Sequence, residues 1–280
     1  MSLAFCPPKM LRMRVLLVSL IALSFVSSAQ VLELAALDWS PDGTSLVLVV
    51  GGKIFLTSTA SLTELKPVYP GMTTDWVRFG SSDWFIFSSP VEGGFALWRG
   101  FLDGREPELL YQTTRFISWP TVSADGEKIA FVEDWTDLVV FDLVEGKTKV
   151  VLSGAWFKAT PEFLPTARAL IFAGLWPHGA EVSWELFYLD LDSLNLMQLT
   201  SDTFFDWCPR ISPDGHWIAF VSNRGGATDI WILSILDGSL FPLTQDLWDD
   251  AFPCWSPEGG EVGYASLRPE GWEFFRVKTY

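Results

Sequence analysis

The chain reads as an all-β protein, a six-bladed β-propeller of four-stranded blades. Three observations predict this fold. The turn Ser-Pro-Asp-Gly stands at Ser40–Gly43 and again at Ser212–Gly215, with the variants Ser-Ala-Asp-Gly at Ser123–Gly126 and Ser-Pro-Glu-Gly at Ser256–Gly259. Each turn is followed by an apolar, β-branched run: Leu46–Val50, Ile129–Val132, Ile218–Val221 and Val262–Ala265. Aligned on these turns, six units emerge with reference residues Ser40, Gly80, Ser123, Leu164, Ser212 and Ser256, at intervals of 40, 43, 41, 48 and 44 residues. A repeat of this length holds four short strands with their turns, the size of one propeller blade.

The fifth unit shows the pattern in full. Asp206–Ile211 reads as a first strand, Trp217–Ser222 as a second, Asp229–Ile235 as a third and Leu240–Thr244 as an outer one. Their breaks fall at Gly, Pro, Asn and Asp, the residues that hairpin turns use, and the strands are rich in aromatic and β-branched residues. The second unit lacks the turn (Gly80-Ser81-Ser82-Asp83) but keeps strands at Trp84–Ser88 and around Ala96–Gly100. The fourth carries Leu164-Pro165-Thr166 at that place, then Ala169–Ala173 and Trp184–Leu191, with an enlarged loop expected over Gly174–Ser183. The sixth ends at a third strand, Glu273–Tyr280. A spare strand at Val31–Ala35 is expected to pair with it and close the ring, leaving no open sheet edge.

The first residues have another character. Lys9, Arg12 and Arg14 precede an apolar run, Val15–Val26, and the small residues Ser27-Ser28-Ala29. This is the layout of a secretory signal peptide, too short to span a bilayer, which takes about 20 apolar residues. Residues 1–29 are therefore assigned to the signal and residues 30–280 to one propeller domain, exported and without a transmembrane anchor after cleavage. The formal net charge of −15 becomes −18 once the three basic residues leave with that segment. So acidic a surface repels phosphate backbones and argues against nucleic acid as a partner. Cys6 leaves as well, so only Cys208 and Cys254 remain. Export permits a disulfide between them, but they stand at different levels of neighbouring units, and the choice between a bridge and two buried thiols stays open.

The stretch Ile-Ser-Pro-Asp-Gly-His-Trp-Ile-Ala-Phe-Val-Ser-Asn-Arg-Gly-Gly-Ala-Thr-Asp-Ile-Trp at 211–231 closely resembles the repeats of TolB-type β-propellers, and weaker copies cover residues 31–280. The resemblance implies a free-standing propeller of the cell envelope that binds other proteins, since 280 residues leave no room for the α/β domain that precedes the propeller in TolB. The same repeat also occurs in propellers that gate prolyl-oligopeptidase-like enzymes and in some polysaccharide lyases.

Two constellations are candidates for function. The segments that lead into each first strand carry Asp75, Trp76, Trp119, Trp156, Asp206, Trp207, Asp249 and Asp250, and they converge on one mouth of the central channel. Aromatic faces beside carboxylates suit a cationic peptide, a basic side chain or a sugar; the competing reading is packing between blades. Two residues before each reference position stand Asp38, Arg78, Thr121, Glu162, Arg210 and Cys254, a mostly polar set that period-2 alternation turns toward the channel. Asp38 is expected beside Arg78 and Glu162 beside Arg210, neutralising each other.

Tests for catalysis are mostly negative; a glycosidase-type carboxylate pair, or His178 with a nearby Glu in a lyase role, stays open. His178 and His216 are the only histidines and lack metal-ligand spacing, so no Zn site is expected. There is no Gly-x-Ser-x-Gly elbow and no phosphate loop. The resulting expectation is a non-catalytic, monomeric propeller with no cofactor and no catalytic or metal residues. It would bind a protein or peptide of the envelope at the acidic, aromatic mouth. The alternative is a carbohydrate-binding or polysaccharide-lyase-like propeller.

Overall fold

Twenty-three strands form six antiparallel sheets in a computed structural model that describes residues 34–279. Blade 1 comprises β1 (Leu34–Trp39), β2 (Ser45–Val50), β3 (Lys53–Ser58) and β4 (Ser61–Val68). Blade 2 comprises β5 (Val77–Phe79), β6 (Trp84–Val91), β7 (Gly94–Phe101) and β8 (Glu108–Thr113). Blade 3 comprises β9 (Ile117–Val122), β10 (Lys128–Glu133), β11 (Asp137–Asp142) and β12 (Lys147–Leu152). Blade 4 comprises β13 (Lys158–Phe163), β14 (Ala169–His178), β15 (Glu181–Asp190) and β16 (Leu196–Gln198). Blade 5 comprises β17 (Asp206–Ile211), β18 (Trp217–Ser222), β19 (Asp229–Ser234) and β20 (Leu240–Pro242). Blade 6 comprises β21 (Asp249–Trp255), β22 (Glu261–Arg268) and β23 (Gly271–Lys278). The chain is thus an all-β, six-bladed propeller.

The repeated turns have one internal logic. In the first, Ser40 Oγ donates to Asp42 Oδ1 at 2.7 Å and accepts from Ser45 N at 2.9 Å, while Gly43 N donates to Ser40 O. The turns at Ser123 and Ser212 repeat this pattern. Gly43 sits at φ 74°, a conformation in which a side chain would clash with the backbone. The degenerate fourth turn places Ala167 there at φ 56°, with the same backbone bond to Leu164 O. After each turn the second strand returns an aromatic or Leu to the same level: Leu48, Phe87, Phe131, Phe172, Phe220 and Tyr264. All six are buried between sheets. Burying a side chain of this size stabilises by about 1.5–3 kcal/mol.

Blades 3 to 6 share one irregularity. Their inner strands carry X-Pro at Trp119-Pro120, Thr160-Pro161, Cys208-Pro209 and Phe252-Pro253, and each X is left-handed, with φ between 45° and 54°. At each of these places the inner strand spends three residue steps where its partner spends two, as between Trp207/Arg210 and Val221/Ala219. Proline has no N–H to give a ladder and bars the preceding residue from the helical region, so it suits a bulge of this kind.

Two expectations are corrected. The segment Gly174–Ser183 is not an enlarged loop: β14 and β15 pair without interruption to His178↔Glu181, turning at Gly179 and Ala180. Leu34 and Ala35 do not extend the sixth blade. They lie in β1, paired to β2, because their alternation fits the innermost position. The rest of the expected closing strand, and the signal segment, lie outside the described residues. Among the described residues, blade 6 has three strands and meets blade 1 by packing: the Trp39 and Phe274 rings stand edge-on at 6.0 Å, and Pro257 lies against Gly43. No helix among the described residues is long and apolar enough to cross a membrane.

Candidate functional site

The inner strands bring Asp38, Arg78, Thr121, Glu162, Arg210 and Cys254 together around the channel axis. Arg210 Nη2 donates to Asp38 Oδ1 at 2.7 Å, and its Nε faces Glu162 Oε1 at 3.4 Å without hydrogen-bond alignment. Glu162 also accepts from Thr121 Oγ1 at 3.2 Å. Asp38 Oδ2 accepts from Phe79 N at 2.8 Å. Glu162 therefore lies beside Arg210, but the partner of Asp38 is Arg210 of blade 5, not Arg78 of blade 2. The small Cys254 in the intervening blade leaves room for the long side chain to pass. The two carboxylates hold the Arg210 guanidinium charged despite burial. Arg78 fares differently: burial, then the nearby Arg210 charge, lowers its basicity. It donates to Leu37 O at 3.3 Å and rests over the Trp76 ring at 4.6 Å. Arg210 occupies the space between Asp38 and Glu162 in which an oxygen-ligated cation would have to sit.

One level above this ring, the bulges turn Trp119, Thr160, Cys208 and Phe252 inward. Trp76 meets Phe252 at 6.4 Å across blade 1, and all but Trp119 of these five are buried. The channel is filled by a polar layer under a largely apolar one. Cys208 and Cys254 are free, buried thiols, and burial pushes the Cys254 pKa up to about 12.

The eight mouth residues separate into two groups. Asp206 and Asp250 are fully buried, and Trp76 and Trp207 are 4% and 7% exposed, so these four cannot touch a partner. The physical reason is the bulge: the extra residue reverses the alternation and carries Asp206 and Asp250 into the junctions between blades. Asp206 receives both its bonds from Arg224 Nη2, at 2.8 and 2.7 Å. Its pKa is nonetheless raised, because burial outweighs the guanidinium. Asp75, Trp119, Trp156 and Asp249 remain accessible. Asp249 accepts from Thr228 N and Oγ1, both at 3.0 Å, and pins the neighbouring loop. Trp156 lies across Gly174, where any Cβ would collide with its ring, and stacks near Phe187 at 5.1 Å.

What sequence reading missed is the connection among the aromatic residues. Phe95, Phe116, Trp135, Trp119 and Trp207 follow one another at centroid separations of 4.8, 4.9, 5.2 and 5.6 Å. Trp207 then meets Trp184 at 4.5 Å. This belt crosses the upper face from blade 2 to blades 4 and 5. At its blade 2 end lies a pocket of ≈ 170 Å³ between Asp75, Phe95 and Phe116. Beside it, Arg115 holds Glu133, Asp134 and Asp137 at 2.7, 2.7 and 2.6 Å, so much of the acidity there is already matched. His178 Nε2 lies 2.8 Å from Glu185 Oε1, which also accepts from Ser183, and Glu185 Oε2 accepts from Thr200.

Comparison with known proteins places these features in context. The family model described as the TolB beta propeller domain matches residues 85–278. A TolB homolog of Chlorobium chlorochromatii is 29% identical over 194 residues, 63% of this chain and 40% of that protein. The chain spans well under half the length of the curated relatives it matches. Among solved structures, the putative TolB of Agrobacterium tumefaciens superposes with a TM-score of 0.67 at 18% identity, covering 88% of this chain and 90% of that one. An oligogalacturonate lyase in complex with manganese gives 0.61 at 14% identity, covering 86% and 76%. Likeness at these identities speaks for the fold alone.

Proposed function

Because the chain belongs to the TolB beta-propeller family, we propose that it is an exported, non-catalytic propeller that binds a protein or peptide of the cell envelope across its upper face. The single observation that supports this reading is the continuous run of ring contacts from Phe95 to Trp207, which ends at the Asp75 pocket. Accessible aromatic rings supply most of the affinity at protein interfaces, and flanking charges set orientation and rate. A peptide with aromatic or aliphatic anchors and a basic residue near Asp75 fits this surface. Trp119, Trp156, Asp75 and Asp249 are the contact residues, while Trp76, Asp206, Trp207 and Asp250 hold the mouth in shape. Export rests on the signal-like segment at residues 1–29.

The second reading, a carbohydrate-binding or lyase-like propeller, draws on the His178–Glu185 pair. Every Glu185 oxygen is already engaged by the protein, which leaves that pair suited to holding the β14–β15 hairpin.

The experiment compares the parent protein with a Trp119→Ala/Asp75→Asn variant on arrays of basic peptides and of glycans. Both proteins are first shown to unfold at similar temperatures. Peptide binding by the parent that is lost in the folded variant supports the proposal. Retention of glycans alone, peptide binding indifferent to the two substitutions, or release of unsaturated product from polyuronates would overturn it.

A further inference from the structure

Three consecutive blade junctions are built on one plan. Six residues before each turn, at or next to the start of the inner strands of blades 4, 5 and 6, stand Lys158, Asp206 and Asp250. Opposite them, the third strands of blades 3, 4 and 5 begin with or carry Asp137, Glu185 and Asp229. The ladders align these positions, since Gly174, Ser222 and Ser266 pair with the three inner-strand residues in turn. Each junction therefore gathers at least one acid, half-buried in the first and buried in the other two, and the question is what cation meets it.

In the first junction the chain supplies its own. The Lys158 side chain lies beside Asp137, and its Nζ donates to Thr136 O and Trp156 O. In the second, Arg224 clamps Asp206 and also reaches Asp202 at 3.3 Å, and its Nε donates to Ser222 Oγ. Glu185 is saturated there by Ser183, Thr200, His178 and Asp202 N.

The third junction breaks the plan. Arg268 stands two residues after Ser266, as Arg224 stands two after Ser222, but it pairs with Asp246 and not with the inner-strand acid. Its Nη2 bonds Asp246 at 3.2 Å, and its guanidinium rests over Phe275 at 4.7 Å. Both Asp250 oxygens, Asp229 Oδ1 and Ser266 Oγ are left buried without a hydrogen bond of normal geometry, although Ser266 and Thr244 lie close enough to Asp250 to ease its ionisation and the Arg268 charge, bonded to Asp246, acts on it from a distance. These side chains are at most 1% exposed. Burial and the neighbouring acids Asp250, Asp246 and Asp249 push the Asp229 pKa up to about 6. Among the described residues no cation bonds Asp229 or Asp250 directly, and carboxylates at this depth with only a remote counter-charge are costly unless something else neutralises them.

We propose that the junction between blades 5 and 6 binds a hard divalent cation of the calcium class through Asp229, Asp250 and Ser266. The donors are all oxygen, which excludes a soft-metal site and suits calcium or magnesium. Two carboxylates match the charge of one divalent ion. A bare ion fits the depth of the site better than a partner's side chain does, since the carboxylates have almost no contact with solvent. The site lies between blades, away from the channel ring and the aromatic belt, and does not depend on the binding role proposed for the mouth.

The test uses the purified chain stripped with a chelator. Calcium is titrated calorimetrically, and terbium is followed by luminescence excited through tryptophan. The expected result is one ion per chain and a melting temperature that rises with calcium. Asp229→Asn and Asp250→Asn should each weaken the site at least about tenfold, as loss of a charged ligand does. Ser266→Ala, which keeps the charge and the fold, should weaken it less but measurably, and it decides the matter if the Asn variants fail to fold. Asp202→Asn, in the neighbouring acidic cluster, should leave binding unchanged. Absence of saturable binding at about millimolar calcium, binding that survives Ser266→Ala undiminished, or binding lost in Asp202→Asn would overturn the proposal.

Discussion

Arg210 of blade 5 reaches past blade 6 to bond Asp38 of blade 1 at 2.7 Å, while the same guanidinium faces Glu162 of blade 4. One side chain thus ties three blades whose sheets share no hydrogen-bonded edge.

Replacing Arg210 with Met should leave buried Asp38 and half-buried Glu162 without a paired cation, Arg78 being the charge still near them. The expected cost is about 3–5 kcal/mol, read as a lower urea midpoint. Arg210→Lys should recover only part of it, because an ammonium is a point charge and cannot face both acids as the planar fork does.

Asp206→Asn separates a structural role from a binding role. Asp206 is fully buried against Arg224, so the change should lower stability by about 1–3 kcal/mol. Affinity for a peptide bound at the upper face should not change. A variant of parental stability with weakened peptide binding would contradict the assignment of Asp206 to the junction.

Lys158 sets a pH dependence. Its pKa is lowered from the ordinary lysine range to about 8, chiefly by burial, with Asp137 opposing the shift. Between about 8 and the unfolded value of about 10.4 the unfolded chain holds more protons than the folded one, so stability must rise with pH across that window. Stability curves measured from pH 7 to 10.5 should show this rise in the parent and lack it in Lys158→Met.

Ala167 occupies the left-handed position that Gly43, Gly126, Gly215 and Gly259 hold in the other turns. A left-handed residue with a Cβ costs roughly 1–2 kcal/mol, and glycine returns about 0.5–1 kcal/mol of that as unfolded-state entropy. Ala167→Gly should therefore stabilise modestly, by about 0.5 kcal/mol, detectable as a raised midpoint.

The fold was legible because Ser-Pro-Asp-Gly has one conformation available to it and recurs at blade spacing. The channel ring was legible too, because Asp38, Arg78, Thr121, Glu162, Arg210 and Cys254 all stand two residues before the turn, on the turn side of any bulge, where alternation by twos still holds. Beyond the bulge that counting fails. The sequence Asp206-Trp207-Cys208-Pro209 carries the signal in its proline, but a proline alone does not say that Cys208 turns left-handed and that Asp206 moves off the channel. The partner of Asp38 was hidden for another reason: how far Arg210 reaches depends on the size of its neighbour across a blade, and single-strand patterns hold no such information. Leu34 and Ala35 were misplaced because an apolar strand at the head of a ring fits either the hub or the rim.

The filled axis gives the propeller no bore. Among the described residues, the Asp38–Arg210–Glu162 layer and the Trp76–Phe252 contact stand across the axis, so the proposed peptide has no straight path from one face to the other. A peptide bound as proposed would instead lie flat across the disc, with both of its ends free to continue past the rim. An internal stretch of a longer protein can dock there as readily as a terminus, and a tag fused to either end of such a peptide should leave its affinity untouched.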